Sequence, residues 1–321
     1  MSDPDLPVDV VVLSWNRLDT TLETIANIET QQDVAAKIWI VDQGSEADCV
    51  QGLRQVAARS DAIHLEELDH NIGVAGGRNL AMSLGNAEYI VAIDNDAEFA
   101  SPKALSEAAA RLRAAPELGV IGFRIVNFYT GELDRLSWVY PRSLLDRNKE
   151  EFLATRFCGA GHAIRRSALE RTAGYDEALF FFWEELDLCY QMIEQRYQIA
   201  YVPSIEVRHK VDPGQRTNWS GERFYYLVRN ALYLDWKYYR SKARFAAMAS
   251  GYQVKAARNR VSAQAVRGTR DALAMISSLK ADTKPLGPEA RKYIEDNDLY
   301  YRGSIVERIR REVLDRLPGS A

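Results

Sequence analysis

No stretch of the 321 residues approaches the roughly 18 consecutive apolar residues of a spanning helix, which excludes an ordinary helical membrane protein. The opening residues, MSDPDLPVDV, lack the basic and apolar regions of a signal peptide, so a cytoplasmic location is expected, soluble or peripheral on the inner face of the membrane. Cysteine is scarce. Cys49, Cys158 and Cys189 are an odd number without C-x-x-C spacing, which favours reduced packing residues over a disulfide framework or a metal site. Excess positive charge is also missing: 41 Lys and Arg against 45 Asp and Glu leave a net charge of -4, so no nucleic-acid partner is expected. There is no internal repeat and no long linker.

What is present, at 47% hydrophobic and 27% charged, is an ordinary globular composition long enough for one large domain or two smaller ones. The first half alternates in type. VDVVVLSW, AKIWIVDQGS, AIHLEEL and EYIVAIDND read as strands, with helical segments TTLETIANIETQQ, DCVQGLRQVAAR and GGRNLAMSLGN between them. Thr20 and Glu23 have the spacing of a capping box. This alternation predicts an α/β fold, a mostly parallel sheet flanked by helices, whose ligands sit at the carboxyl ends of the strands. Farther on, a helix and strand follow Pro102, a hairpin is expected around Thr130-Gly131, EELDLCYQMIEQRY reads as helix, and IAYVPSIEVRHK reads as a strand ending at His209. From about Arg223 the pattern is helical.

Ser14-Trp15-Asn16-Arg17, Asp42 and Asp94-Asn95-Asp96 all fall at the ends of expected strands, so they are expected to converge on one edge. Asp94 and Asp96 are two apart, which in an extended backbone points both the same way. Two such oxygen donors suit Mg2+ or Mn2+ bridging to phosphates, and equally suit a solvated turn. NIGVAGGRN places Gly73, Gly76 and Gly77 ahead of a helix with Arg78 in its first turn. That is a place for an anion, or a plain glycine turn, and it matches neither G-x-G-x-x-G nor a P-loop. Glu184, Glu185 and Asp187 follow the aromatic block Phe181-Phe182-Trp183. Either they complement a helix dipole, or a partly desolvated acid among them acts as a general base. His209 is a metal ligand or a surface histidine.

Taken in order, VVVLSWNR, IVDQGS, NIGVAGGRN, IDNDAEF, FCGAGHAIRRSALERTAGYDEALFFFWEELDLCYQ and VRHK resemble a family 2 glycosyltransferase of the GT-A fold, in the group of rhamnosyltransferase-like enzymes, from roughly Val8 to Lys210. The resemblance implies a nucleoside pocket of Ser14, Asn16, Arg17 and Asp42. It places Arg78 and the Gly76-Gly77 backbone near the diphosphate and donor sugar, gives Asp94 and Asn95 to donor binding with Asp94 at the ribose or the metal, and makes Asp94, Asp96 and His209 the ligands of Mn2+ or Mg2+. Trp183, Glu184 and Asp187 lie on the acceptor side, and Glu185 is the catalytic base of an inverting transfer, with Glu184 and Asp187 as fallback bases. The implied donor is dTDP-rhamnose, or a UDP-hexose within the same class, and the acceptor is a glycan or lipid-linked glycan of the cell envelope. A non-catalytic nucleotide-sugar-binding subunit is the rival in another class, and a nucleotidyltransferase is disfavoured because LSWNRLDT supplies no basic glycine-rich loop.

Three departures stand out: Gln43 where Asn is common, Glu185 where Asp is commoner, and HKVDPGQRTNW without compact glycine spacing. The expected division is a GT-A domain over 1–222 and a helical region over 223–321 that contacts acceptor, membrane or another subunit. Between Trp236 and Arg270 lie nine Lys or Arg and no acid, a pattern suited to peripheral membrane contact or to a solvated basic helix.

Overall fold

A computed structural model describes residues 6–210, 222–280, 283–314 and 317. The chain forms two units. The first runs through Tyr140, Leu144–Phe180 and the segment from Glu184 to the end of the last strand; the second holds Pro141–Ser143, Phe181–Trp183 and the C-terminal helices.

Valine-rich runs with little polar interruption make strands buried on both faces, as in β1 (Pro7–Ser14), where Val8, Val10, Val11 and Val12 are all buried. β1 pairs in parallel with β2 (Ala35–Gln43) on one side and β4 (Tyr89–Ile93) on the other, and β3 (Ile63–Leu68) extends the sheet beyond β2. Helices α1 (Leu18–Glu29), α2 (Ala47–Ala57) and α3 (Gly73–Leu84) make the crossovers. Beyond β4 the sheet becomes mixed. The order is β3-β2-β1-β4-β8-β6-β9-β5, where β5 is the short strand Ala97–Phe99, β8 (Gly161–Arg165) is antiparallel to both neighbours, β6 (Leu118–Asn127) is parallel to β9 (Gln198–His209), and β7 (Phe152–Ala154) pairs with β9 off this path; α4 (Ala104–Ala114) precedes β6 and α5 (Arg166–Leu169) follows β8. The three longest ladders are parallel. Pro203, which has no N–H to donate, lies where the β6–β9 register shifts between Phe123 and Arg124.

Three local expectations are corrected. The Thr20–Glu23 capping box does not form: α1 starts at Leu18, Arg17 is its N-cap without a side-chain bond, and the Thr20 and Thr21 hydroxyls donate to the Arg17 carbonyl. The Thr130-Gly131 turn forms, with Gly131 at φ +68°, but its return arm is a single bridge between Val126 and Leu133. The Asp134 carboxylate ends that arm by accepting from Leu136 N (3.0 Å) and Ser137 Oγ (2.7 Å), which turns the chain away. Asp94 and Asp96 lie in a turn, not in extended backbone, closed by Ala97 N donating to Asp94 O at 3.1 Å.

That turn sends the chain from β4 to the short strand β5 (Ala97–Phe99), which pairs antiparallel with β9 so that Ala97 stands opposite His209. From Glu222 onward the described residues are helical: α7 (Glu222–Tyr239), α8 (Lys242–Arg258), α9 (Ser262–Ser277) and α10 (Pro288–Asn297), followed by short turns of helix. Phe224, Val228, Leu232, Ala256, Ala265 and Ala272 form a core within that unit. None of the three cysteines forms a disulfide, and all are buried. No helix among the described residues is long and apolar enough to cross a membrane.

Candidate active site

The Asp94-Asn95-Asp96 turn is pinned on three sides. Asp94 N donates to Ala160 O (3.3 Å), Lys210 N donates to Asp96 O (2.8 Å), and Asn95 Nδ2 donates to Thr21 Oγ1 on α1 (2.9 Å). Asn95 therefore ties the turn to a helix. The aspartates are left facing His209: its Nε2 is 3.0 Å from Asp96 Oδ1 and 3.8 Å from Asp94 Oδ2. The other oxygen of Asp96 is bound by Arg17 Nη1 at 2.5 Å. One ligand atom from each of Asp94, Asp96 and His209 lies within 4.8 Å of the others. A divalent ion held at about 2.1 Å from oxygen or nitrogen sets neighbouring ligands about 3 Å apart, so this donor set fits Mg2+ or Mn2+ with small closing adjustments.

At the ends of β1 and β2 a second polar group is interlocked. Asp42 is fully buried and accepts from Ser45 N (2.9 Å) and Ser45 Oγ (2.5 Å). Ser45 Oγ in turn accepts from Asn16 N (2.9 Å), while Asn16 Oδ1 accepts from Glu46 N (2.7 Å). Asn16 adopts φ +53°, a conformation that asparagine tolerates better than most residues. Ser14 is buried, and its hydroxyl has no hydrogen-bond partner among the described residues. Asp42 thus braces the two loops from beneath, and Asn16 and Arg17 lie at the surface.

Arg78 is not in the first turn of α3. The helix begins at Gly73, so Gly76 and Gly77 are inside it and Arg78 falls in its second turn, with its side chain only 5% exposed. The glycines serve packing: a Cβ on Gly76 would meet Ile72 at 3.1 Å, and one on Gly77 would meet Leu13 at 3.1 Å. The Arg78 guanidinium donates to Glu185 Oε1 (3.1 Å) and Gly159 O (2.8 Å) and lies 3.5 Å from Asp94 Oδ1. One side chain therefore bridges the acid of α6 (Glu184–Glu194) and the acid after β4.

The three acids of α6 differ in environment. Asp187 is fully buried and accepts from Gln191 Nε2 at 2.7 Å. Glu184 is buried, its Oε2 has no partner among the described residues, and burial, reinforced by the charge of Glu185, holds its carboxyl well above the usual carboxylate range. Glu185 keeps 19% of its side chain exposed and alone touches Arg78. Trp183 belongs to the second unit, where its indole N–H donates to Leu227 O at 3.0 Å.

Residues 9–172 match the profile of glycosyl transferase family 2. The chain belongs to that family. Its architecture is that of the GT-A glycosyltransferases, shared with a mannosyltransferase from Pyrobaculum calidifontis solved in complex with GDP-Man and Mn2+ (19% identity, 96% of this chain and 84% of that one, TM-score 0.57). It is shared also with GalNAc-T7 solved with UDP, GalNAc and Mn2+ (12% identity, 92% and 57% of the two chains, TM-score 0.63). In sequence it is 23% identical to an uncharacterized protein of Haemophilus influenzae over 168 residues, 51% of this chain and 90% of that protein. It is 24% identical to the pre-mycofactocin glycosyltransferase of Mycobacterium tuberculosis over 196 residues, 59% of this chain but only 40% of that protein's length. As a member of family 2 this chain is a glycosyltransferase, and Asp94, Asp96 and His209 form an acidic cluster of the Asp-x-Asp kind.

Some parts of this site are not assigned by the sequence. Thr21 and Gly159 reach partners 74 and 81 positions away, and only the folded chain brings them together; Ser45 lies in IVDQGS beside Asp42, but its bond to that carboxylate is read only from the structure. Asp134, whose Oδ2 is 3.9 Å from His209 Nδ1, had no motif to mark it. The altered glycine spacing after His209 lies in residues 211–221, outside the described residues.

Proposed function

We propose that this family 2 enzyme is an inverting, metal-dependent transferase that moves a sugar from a nucleoside diphosphate donor to a hydroxyl of a glycan or lipid-linked glycan. The reading rests on one observation: Glu185, the acid of α6 whose side chain keeps solvent-exposed surface, is joined through a single guanidinium to Asp94 of the Asp94–Asp96–His209 set. A base and a diphosphate-anchoring cluster one side chain apart suit in-line displacement at an anomeric carbon.

In that reaction the acceptor oxygen bonds to the anomeric carbon on the face opposite the leaving group. The carbon–oxygen bond to the diphosphate breaks and its electron pair leaves with the nucleoside diphosphate. The hydroxyl proton passes to the Glu185 carboxylate. Asp94, Asp96 and His209 would hold the ion, which as a Lewis acid stabilises negative charge on the departing diphosphate. Asn16 and Arg17, braced by Asp42 and Ser45, frame the nucleoside side. The donor we put first is dTDP-rhamnose and the second a UDP-hexose; Mn2+ and Mg2+ are both candidate ions. The helical unit, with its acid-free basic stretch, is assigned to the acceptor or to an anionic membrane surface.

Replacing Glu185 by Gln tests this. Turnover should fall by about 10²–10⁴-fold while nucleotide affinity, measured calorimetrically with UDP, dTDP and GDP in the presence of Mn2+, stays as in the wild type. Full turnover in Glu185→Gln would remove the base from the mechanism. Binding of none of the nucleotides would remove the donor assignment. Nucleotide binding without any turnover in the wild-type protein would favour a binding subunit instead.

A further inference from the structure

A guanidinium buried to the extent of Arg78 has little surface left to offer a substrate, and what it touches is protein. On one side it holds Glu185 Oε1 at 3.1 Å, on another Asp94 Oδ1 at 3.5 Å, and between them the Gly159 carbonyl at 2.8 Å. Beside it lies the ring of Tyr175, 5.9 Å from the guanidinium carbon, and the Tyr175 hydroxyl is 3.3 Å from His162 Nε2 near the start of β8. The arginine is therefore held by the Gly159 carbonyl and the Tyr175 ring while its guanidinium meets two acids.

Gly159 shapes this arrangement by lacking a side chain. A Cβ there would stand 2.2 Å from Glu185 Oε1, 2.9 Å from Arg78 Nη2 and 3.1 Å from Arg78 Nη1. The atoms it would meet are the ends of two long side chains, so a Cβ there would push the Glu185 carboxylate and the Arg78 guanidinium off their present contact. The space that the glycine leaves is the space in which guanidinium and carboxylate meet.

We propose that Arg78 is a positioning residue, not a diphosphate ligand: it fixes Glu185 at a set distance from Asp94, and Gly159 keeps the junction open. This rests on the assignment of Glu185 as the base, and it departs from the diphosphate contact that the family resemblance implies for Arg78. A point cation would do this less well than the planar fork of arginine, which reaches several acceptors in fixed directions.

The test compares the full-length variants Arg78→Met, Arg78→Lys, Glu185→Gln and the double variant Arg78→Met/Glu185→Gln. The readouts are kcat at saturating donor and acceptor, and nucleotide affinity by calorimetry with UDP or dTDP and Mn2+. Loss of the clamp should lower kcat about 10²-fold, the scale of a misplaced catalytic group, with nucleotide affinity within about threefold of wild type. Lysine should recover part of the loss. The double variant should be no slower than Glu185→Gln alone, because both changes act on one carboxylate. If nucleotide affinity drops tenfold or more with kcat preserved, or if the two losses multiply, the positioning role is wrong. Should Arg78→Met fail to fold, Gly159→Ala crowds the junction with the arginine present, and it must also lower kcat while sparing nucleotide affinity. Wild-type turnover in Glu185→Gln would instead defeat the base assignment, whatever Arg78→Met shows.

Discussion

His209 Nε2 and Asp96 Oδ1 stand 3.0 Å apart, although 113 positions separate the two residues along the chain. His209 ends β9 and Asp96 is the last turn residue before β5, and the pairing of β5 with β9 puts them side by side. If this pair with Asp94 holds the ion, His209→Ala and Asp96→Ala should each weaken Mn2+ binding by at least about tenfold, and chelator should no longer affect nucleotide affinity. Titration of Mn2+ followed by electron paramagnetic resonance measures this directly. Unchanged Mn2+ affinity in both variants would place the ion elsewhere.

Glu184 predicts a pH effect on stability. Its carboxyl is held well above the usual range by burial first and by the neighbouring Glu185 charge second. An acid raised in the folded state contributes stability that is fully present below its unfolded value of about 4.3 and is lost as pH rises through the folded value. Glu184→Gln removes that loss. The variant should therefore melt higher than wild type at about pH 8, with the difference vanishing toward about pH 4. Parallel melting curves across that range would count against a neutral buried acid.

Gly73 opens α3 at φ +82°, and a Cβ there would lie 2.5 Å from the Phe180 carbonyl oxygen, which also accepts from Val74 N at 2.7 Å. Gly73→Ala should cost about 1–3 kcal/mol from backbone strain alone, with more from the clash. Urea unfolding should show a lower midpoint at an unchanged slope. A midpoint equal to wild type would mean that the loop carrying Phe180 yields without cost.

Much of the fold was legible because its cause is local. A strand buried on both faces must be apolar throughout, and a helix covering it must repeat its apolar residues at helical spacing, so β1 to β4 and α1 to α3 announce themselves residue by residue. Element boundaries are less legible, because several local contacts compete there and residue spacing does not say which prevails. Thr20 and Glu23 have capping spacing, but the helix had already begun at Leu18. The return arm after Gly131 has strand-like residues, but the Asp134 carboxylate captures Leu136 N and Ser137 Oγ and ends it. Arg78 looked like a first-turn anion binder because nothing local says that α3 begins at Gly73, before the glycine pair.

By itself the sequence determined the kinds of chemistry available: carboxylates at strand ends, a late histidine, an acidic helix after an aromatic block, and an arginine behind glycines. Side-chain type is a property of each position and needs no neighbours to be read. The tertiary structure alone decided the pairings. It made Asp42 a brace under Ser45, left Glu185 accessible while burying Glu184 and Asp187, and closed Arg78 onto Glu185 and Asp94. Burial and distance depend on which strands lie side by side. The antiparallel insertion of β8 between β4 and β6, and the turn from β4 to β5, are properties of the whole sheet and of no single segment within it.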